Sequence, residues 1–289
     1  MSKSVAVTLL GGLGNQMFQY ALGRTLSLRL GLPLVLDISM YSNRIAGRIP
    51  RHYELDRFRL SGQQVRDEPL LLARARNRLS RILTSRGMGG TQRIEEQGLA
   101  FHPDVLQTRG PCQLVGYWQS ERYFASISGQ LREDFTFRPS EDPRSAPYQS
   151  RIRQAKSVGL CFRRTDFVTS STFGTCSEDY YAAALDLVVS RLGRAIELFV
   201  FSDDIEWCRR NVRYSFPTDY VDWEGMDHTG EDLRLMSACR ALVMANSTFH
   251  WWGGWLNPRP DKLVVAPRQW FREPGLVSDL PESSWLIAI

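Results

Sequence analysis

Short apolar runs alternate along this chain with longer stretches in which apolar residues recur at helical spacing. The apolar runs at 5–10, 34–36, 113–115, 157–162, 197–201, 241–244 and 262–266 are read as strands buried on both faces. The periodic stretches at 16–30, 70–83, 120–131, 177–191, 204–211 and 232–239 are read as helices. Strands that alternate with helices of this length predict parallel sheets and an α/β fold. Between Arg138 and Pro147 the chain carries three prolines and little apolar content, which predicts a linker. The expected division is an N-terminal half over 1–140 and a C-terminal half over 150–289. No internal repeat or low-complexity tract is visible.

A length of 289 residues with 43% hydrophobic content supports a sizeable core. No apolar run approaches the roughly 18 residues of a membrane span. The first strand follows Met1 too closely, and with the wrong flanks, for a signal peptide. The five cysteines are odd in number, widely spaced and free of C-x-x-C pairs, so a reducing cytoplasm is expected and neither a disulfide framework nor a zinc site. The net charge of +5 suits an anionic ligand or surface. Arg74, Arg76, Arg78, Arg81, Arg86 and Arg93 share one segment with leucines at helical spacing and no acid among them. Such a helix could touch an anionic membrane, or bind nucleic acid, through its basic face. The plainer reading is a surface helix with its apolar side on the core.

Four constellations carry chemistry. The run 241–244 ends in Asn246-Ser247-Thr248-Phe249, placing short polar side chains at a strand's C-terminal edge, where open α/β sheets bind ligands. Trp251, Trp252 and Trp255 follow and must pack behind that edge. After the first strand comes Gly11-Gly12-Leu13-Gly14-Asn15-Gln16, a turn whose glycines let backbone approach a ligand at a helix start. As a dinucleotide fingerprint it is incomplete, since Met17 stands where a third glycine belongs, although Asp37 sits where a ribose-binding acid would be. An NAD-linked oxidoreductase is the alternative that pattern raises. The third strand-end is Cys161-Phe162-Arg163-Arg164-Thr165-Asp166. Adjacent strand residues face opposite ways, so one arginine meets a phosphate while the other pairs with Asp166 and holds the loop. Ser202-Asp203-Asp204 closes another strand, as ligand groups or as a helix cap. Asp232 opens a helix, as a cap or as a carboxylate matched to the N1 and N2 edge of guanine. No D-x-D occurs in the chain, so no metal–diphosphate site and no metal ligand are expected.

Taken together these segments resemble the α-1,2-fucosyltransferases of glycosyltransferase family 11. The resemblance rests on Gly11-Gly12-Leu13-Gly14-Asn15-Gln16-Met17-Phe18-Gln19-Tyr20, Gly116-Tyr117-Trp118-Gln119-Ser120-Glu121, Arg163-Arg164-x-Asp166, Phe201-Ser202-Asp203-Asp204, Asp232-Leu233-x-Leu235-Met236-Ser237, and Asn246-Ser247-x-Phe249-x-Trp251-Trp252-Gly253, in that order. It implies a GT-B-like fold, two Rossmann-like lobes with an interlobe cleft. The N-terminal lobe would serve the acceptor and the C-terminal lobe the GDP-sugar. It implies metal-independent, inverting transfer of L-fucose from GDP-β-L-fucose to the 2-hydroxyl of a terminal galactose on an oligosaccharide, with no cofactor. A fucosyltransferase of other linkage or acceptor shares the same donor signature.

By the same resemblance Arg163 binds the diphosphate, and Arg164 and Asp166 complete its motif. Asp232 reads guanine, Ser247 and Thr248 lie on the phosphate side, and Asn15 and Gln16 face the donor. Gly12, Gly14, Ser202, Asp203, Asn246 and Phe249 are expected to line the donor site. Cys161 stands where the family carries a histidine, and Thr165 where it carries a glycine. Asp166, Asn15 and Asp37 are the candidates for a general base. A cytoplasmic enzyme is expected, with the basic segment as its candidate contact to the inner membrane.

Overall fold

The computed structural model describes residues 3–41, 51–69, 71, 72, 75, 78, 91–223 and 228–289. The chain divides into two compact units, Met1–Arg138 and Pro139–Ile289. Each is built on a parallel sheet.

In the first unit the strands are β1 (Val5–Thr8), β2 (Leu34–Asp37), β3 (Gln63–Arg66), β4 (Gln92–Glu95) and β5 (Cys112–Val115), in the order β3-β2-β1-β5-β4. Central β1 and β2 are wholly buried, as their unbroken apolar runs predict. β3 and β4 escape a reading based on apolar runs because they are polar edge strands, half in water. Helix α1 (Leu13–Leu30) starts three residues before the expected position, directly on the glycine turn. The expected helix over 120–131 is broken into two tight turns, Glu121–Tyr123 and Ala125–Ile127, before α2 (Ser128–Asp134). Ser126, Ser128 and Gly129 are poor helix formers, and the core takes the adjacent rings of Tyr123 and Phe124 together. A buried polar knot locks α1 to α2: Tyr20 Oη and Arg24 Nε both donate to Asp134, at 2.8 and 3.0 Å.

The second unit holds α3 (Ser145–Gln154), β6 (Ser157–Phe162), α4 (Thr165–Val168), α5 (Glu178–Leu192), β7 (Glu197–Ser202), α6 (Ile205–Asn211), β8 (Thr218–Tyr220), α7 (Thr229–Ala238), β9 (Ala241–Val243), α8 (Thr248–Leu256), β10 (Leu263–Ala266) and β11 (Ile287–Ala288). Its sheet runs β11-β10-β9-β6-β7-β8. Chain order therefore reverses between β6 and β9, the doubly wound arrangement whose ligand crevice lies outside the strand ends at the reversal. One face of β6 packs Val158, Leu160 and Phe162 against Tyr181, Leu185 and Val188 of α5. The other face sets Gly159 and Cys161 against Cys239 and Met236. The expected linker is shorter than the proline pattern suggested, because α3 begins inside it. Pro147 sits in the first turn of α3, where its missing N–H costs nothing. Ile152 anchors that helix in the core.

The basic segment expected as a helix over 70–83 lies outside the described residues, apart from 71, 72, 75 and 78, which are helical. Arg74, Arg76, Arg81 and Arg86 are among those not described. Arg93 belongs to β4 and pairs with Glu95. Among the described residues no helix is long and apolar enough to cross a membrane.

Candidate functional site

The reversal point of the second sheet gathers the strand-end residues singled out in the sequence. β6 delivers Arg163 and Arg164, β7 delivers Ser202 and Asp203, and β9 delivers Asn246 and Ser247. The loop after β6 is organised by Asp203. Its carboxylate accepts the Arg164 backbone N–H at 2.8 Å and the Thr165 hydroxyl, and it pairs with Arg163 at 2.9 Å. Arg163 also donates to Asp166, and its guanidinium lies 5.1 Å from the Phe167 ring centre. The expected pairing of Arg164 with Asp166 is thus corrected: Arg163 takes Asp166. Arg164 instead lies flat on Trp207, 3.3 Å from the ring centre, with Asp204 at 3.9 Å. The alternation of side chains along an extended chain explains why the two arginines part.

At the end of β9 the chain turns through Ser247 into α8. Ser247 is the N-cap residue, yet its side chain makes no capping bond, and no acid stands in the first turn. The positive end of the helix therefore favours an anion. Thr248 and Phe249 are half-buried at this end. One to two turns further, Trp251, Trp252 and Trp255 form an edge-to-face stack that backs the site, as expected from their cost in water.

His250 was not singled out as a site residue, but the structure sets it here. It is only 4% exposed. Burial and the nearby Arg163 guanidinium pull its imidazole down to about 3, so the ring is neutral. Its Nδ1 is buried with no hydrogen-bond partner among the described residues. The available signal was a lone histidine at the third position of a strand-end helix, hidden among aromatics.

Several expected ligand groups are occupied by the protein itself. Asn246 donates through Nδ2 to the carbonyls of Phe173, Gly174 and Trp270, the last at 2.9 Å. It is a buried clamp on the 173–176 loop, and it borders a cavity of about 310 Å³ that Arg163 and Ser247 do not line. Cys161 is fully buried against Met236, sulfur to sulfur at 3.4 Å, and burial pushes its thiol well above the usual range. It offers no surface to a nucleotide. Ser202 accepts the Asp204 N–H, and Asp204, not Ser202 or Asp203, caps α6 by accepting from Trp207 N–H. Asp232 is not a cap either, since α7 starts three residues earlier. Its carboxylate accepts the Trp223 indole N–H at 2.7 Å.

In the first unit the order reverses between β1 and β5, and the glycine turn lies at that edge. Gly11 has a φ of 75°, and a Cβ there would stand 2.4 Å from Asn15 Nδ2, so only glycine fits this turn. Gly12 caps α1 in an extended conformation with Arg51 packed over it, and Gly14 is buried. Asn15 accepts from Gln119 Nε2 at 2.9 Å, joining the turn to the segment after β5. Gln16 is fully buried, and its amide bonds to Gly11 O, His52 O and Glu54 N. It braces the turn rather than facing a donor. Asp37 is 1% exposed and accepts the Ser39 N–H. A buried carboxylate so placed reads no ribose and reaches no acceptor hydroxyl, which removes it as a base and weakens the oxidoreductase alternative. Among the described residues no group of three or more His, Cys, Asp or Glu side chains is arranged to hold a metal.

Residues 105–285 match the family model described as glycosyl transferase family 11. An Escherichia coli α-1,2-colitosyltransferase is 33% identical over 288 residues, covering 95% of this chain and 94% of that protein. The O-antigen biosynthesis glycosyltransferase WbnK of Escherichia coli is 31% identical, covering 96% of this chain and 98% of its own length. Among solved structures, fucosyltransferase NodZ from Bradyrhizobium superposes with a TM-score of 0.50 at 13% identity, over 89% of this chain and 94% of that one. That likeness concerns the fold, a GT-B-like pairing of two parallel α/β units.

Proposed function

The chain belongs to glycosyltransferase family 11, and from that premise we propose that it moves L-fucose from GDP-β-L-fucose to the 2-hydroxyl of a terminal galactose, forming an α-1,2 linkage with inversion and without a metal. The observation that carries the donor half is the anion cradle at the reversal point: Arg163 at the end of β6 beside the uncapped N-terminus of α8. As the bond from the anomeric carbon to the GDP oxygen breaks, negative charge grows on the diphosphate. Arg163, the Ser247 hydroxyl and the first N–H groups of α8 stabilise that charge where it develops, and such preorganised donors usually make the largest catalytic contribution.

Arg163 must exchange a carboxylate for phosphate in this scheme. Asp166, 42% exposed, is the partner we assign to give way, whereas Asp203 also holds the Arg164 backbone N–H. An Asp166 released from Arg163 is then the group we assign to accept the proton of the galactose hydroxyl. Asp232 would meet guanine by exchanging its indole partner for the base edge, which has the same N–H donor chemistry. The first unit, with Asn15 and Gln119 at its strand ends, serves the oligosaccharide acceptor.

A second reading, α-1,2 transfer of a colitosyl group, is favoured by what the 33%-identical relative is named for. An NMR-resolved product assay with GDP-fucose, EDTA and lactose or N-acetyllactosamine tests the proposal. Fucose on galactose O2 is the expected product. Transfer from a colitosyl donor but not from GDP-fucose would overturn the sugar assigned and keep the linkage. Activity lost in EDTA and restored by Mn²⁺ would overturn metal independence.

A further inference from the structure

Beside the diphosphate cradle the second unit has a cavity of about 310 Å³ that the proposed donor does not use. Its walls come from the segments 173–177, ahead of α5, and 267–272, after β10. Asn246 ties the two segments together, donating to the Phe173 and Gly174 carbonyls of one and to the Trp270 carbonyl of the other. The Arg272 N–H adds a bond to Thr172 O at 2.8 Å, and the Thr172 hydroxyl donates to Glu273 at 3.0 Å. The walls are therefore set before a ligand enters, which lowers the cost of binding. Ring contacts join the cavity to the cradle. The Arg163 guanidinium lies 5.1 Å from the Phe167 ring centre, Phe167 stacks on Phe173 at 4.6 Å, and Phe173 meets Phe271 at 5.6 Å. Phe173 and Phe271 both line the cavity.

The charge of the cavity is one-sided. Arg268 and Arg272 line it, and among the described residues no acidic side chain does. Arg268 is steadied by a bond from Nη2 to Ala288 O at 2.9 Å. Arg272 is seated on Gly174, which has a φ of 69° and where a Cβ would stand 3.0 Å from Nε and 3.4 Å from Cζ. Only glycine suits that backbone and leaves room for the guanidinium. The acid next in sequence, Glu273, is turned to Thr172 instead. Among the described residues neither guanidinium has an ion pair, and that of Arg272 has no hydrogen bond. A planar fork of N–H groups matches a carboxylate with two parallel bonds. The exposed ring of Phe173 offers an apolar surface, and Thr175 and Gln269 offer partners for hydroxyl groups. A ring platform, hydroxyl partners and a carboxylate fork are together the chemistry of a carboxylated sugar. We propose that the cavity is a subsite for an acidic sugar residue, of uronic acid type, in the oligosaccharide that accepts fucose, with the carboxylate on Arg272 and Arg268. Its assignment to the acceptor rests on the reading of the chain as a fucosyltransferase. The donor has no need of it, because fucose is neutral and the diphosphate is assigned to Arg163 and α8.

Saturation-transfer NMR on the whole protein tests the site, with glucuronate and glucose as probes and GDP and inorganic phosphate as competitors. Glucuronate should take up saturation and glucose should not. Arg272→Gln, a change at an exposed side chain, should keep the far-UV circular dichroism and weaken glucuronate roughly tenfold or more, the usual loss for a hydrogen bond to a charged group. Equal saturation in parent and variant would overturn the site. Displacement by GDP would give the cavity to the donor, and displacement by phosphate at a tenth of the glucuronate concentration would make it a plain anion site. Either result overturns the proposal. Transfer from GDP-fucose to lactose, and to its counterpart with glucuronic acid in place of glucose, supplies the second arm. The ratio of kcat/KM for the acidic over the neutral acceptor should fall about tenfold in Arg272→Gln, and an unchanged ratio would overturn the acceptor role. If neither acceptor is fucosylated while glucuronate binds through Arg272, the fucosyltransferase reading falls and the acidic-sugar site stands.

Discussion

Arg163 is held by two carboxylates, and its value to the reaction depends on how it exchanges them. In the proposed reaction, replacing it with alanine removes the charge that meets the leaving diphosphate. Arg163→Ala should lower kcat by about 10²–10³-fold, the usual loss for one such donor. Its far-UV circular dichroism should be unchanged, because the arginine touches the core only at its edge. Normal turnover would place the diphosphate elsewhere. Lysine should rescue little, since a point charge cannot reproduce the fork that spans Asp203 and phosphate.

His250 makes a second prediction at this scale, on stability. Its folded basicity, about 3, lies below the usual 6.5, so the unfolded chain binds the proton and the folded one does not. The contribution of the neutral ring is complete above about pH 6.5 and is lost as pH falls from there toward about 3, at up to about 1.4 kcal/mol per pH unit. Urea titrations of the parent and His250→Asn between pH about 7 and about 5 should show the variant losing stability less steeply on acidification. Parallel slopes would mean that the ring is charged in the folded protein.

Among the elements, α8 decides the most, because it both presents the proposed anion-binding end and fills the space behind it. Its tryptophans pack tightly only because glycines let neighbours approach. A Cβ on Gly254 would stand 2.8 Å from the Trp285 ring and 3.1 Å from Val264. Gly254→Ala should therefore destabilise by about 1–3 kcal/mol through overpacking, read as a lower urea midpoint with an unchanged slope. An unchanged midpoint would show that Trp285 yields freely. The same scale shows where sequence pattern succeeds and fails. β6 and β9 are legible because strands buried on both faces must be apolar throughout. β3, β4, β8 and β11 are not, because an edge strand half in water owes its place to pairing with a neighbour. α3 was hidden because prolines read as a break even where the first helical turn tolerates them.

At the scale of the molecule the two units have separate sheets and separate cores. The donor-binding groups proposed here, Arg163, Asp232 and Ser247, all lie in Pro139–Ile289. That unit expressed alone should fold cooperatively and bind GDP, within about tenfold of the whole chain by calorimetry if its own contacts dominate the free energy. A fragment that folds and does not bind would assign part of the GDP site to the first unit. The accepting galactose has no such concentration of groups, and its test remains the product assay.

Strand-end chemistry was the part of the site that sequence alone determined. An apolar run that stops at Arg163-Arg164 or at Asn246-Ser247 marks the edge of a parallel sheet, and that edge is where ligands bind. The same reasoning determined the α/β class and, through the joint order of motifs, the family. Tertiary structure decided which of those polar residues remain available. Gln16, Asp37, Asn246 and Cys161 look no different in sequence from Arg163 and Ser247, yet the first group is bonded inward while the Ser247 side chain makes no capping bond. It also decided that Arg163 rather than Arg164 takes Asp166, and that a ring nitrogen of His250 is buried with no partner among the described residues. The reason is physical. A residue's type is local, whereas its hydrogen-bond partners come from segments far away in the chain, and only the folded packing brings them within reach.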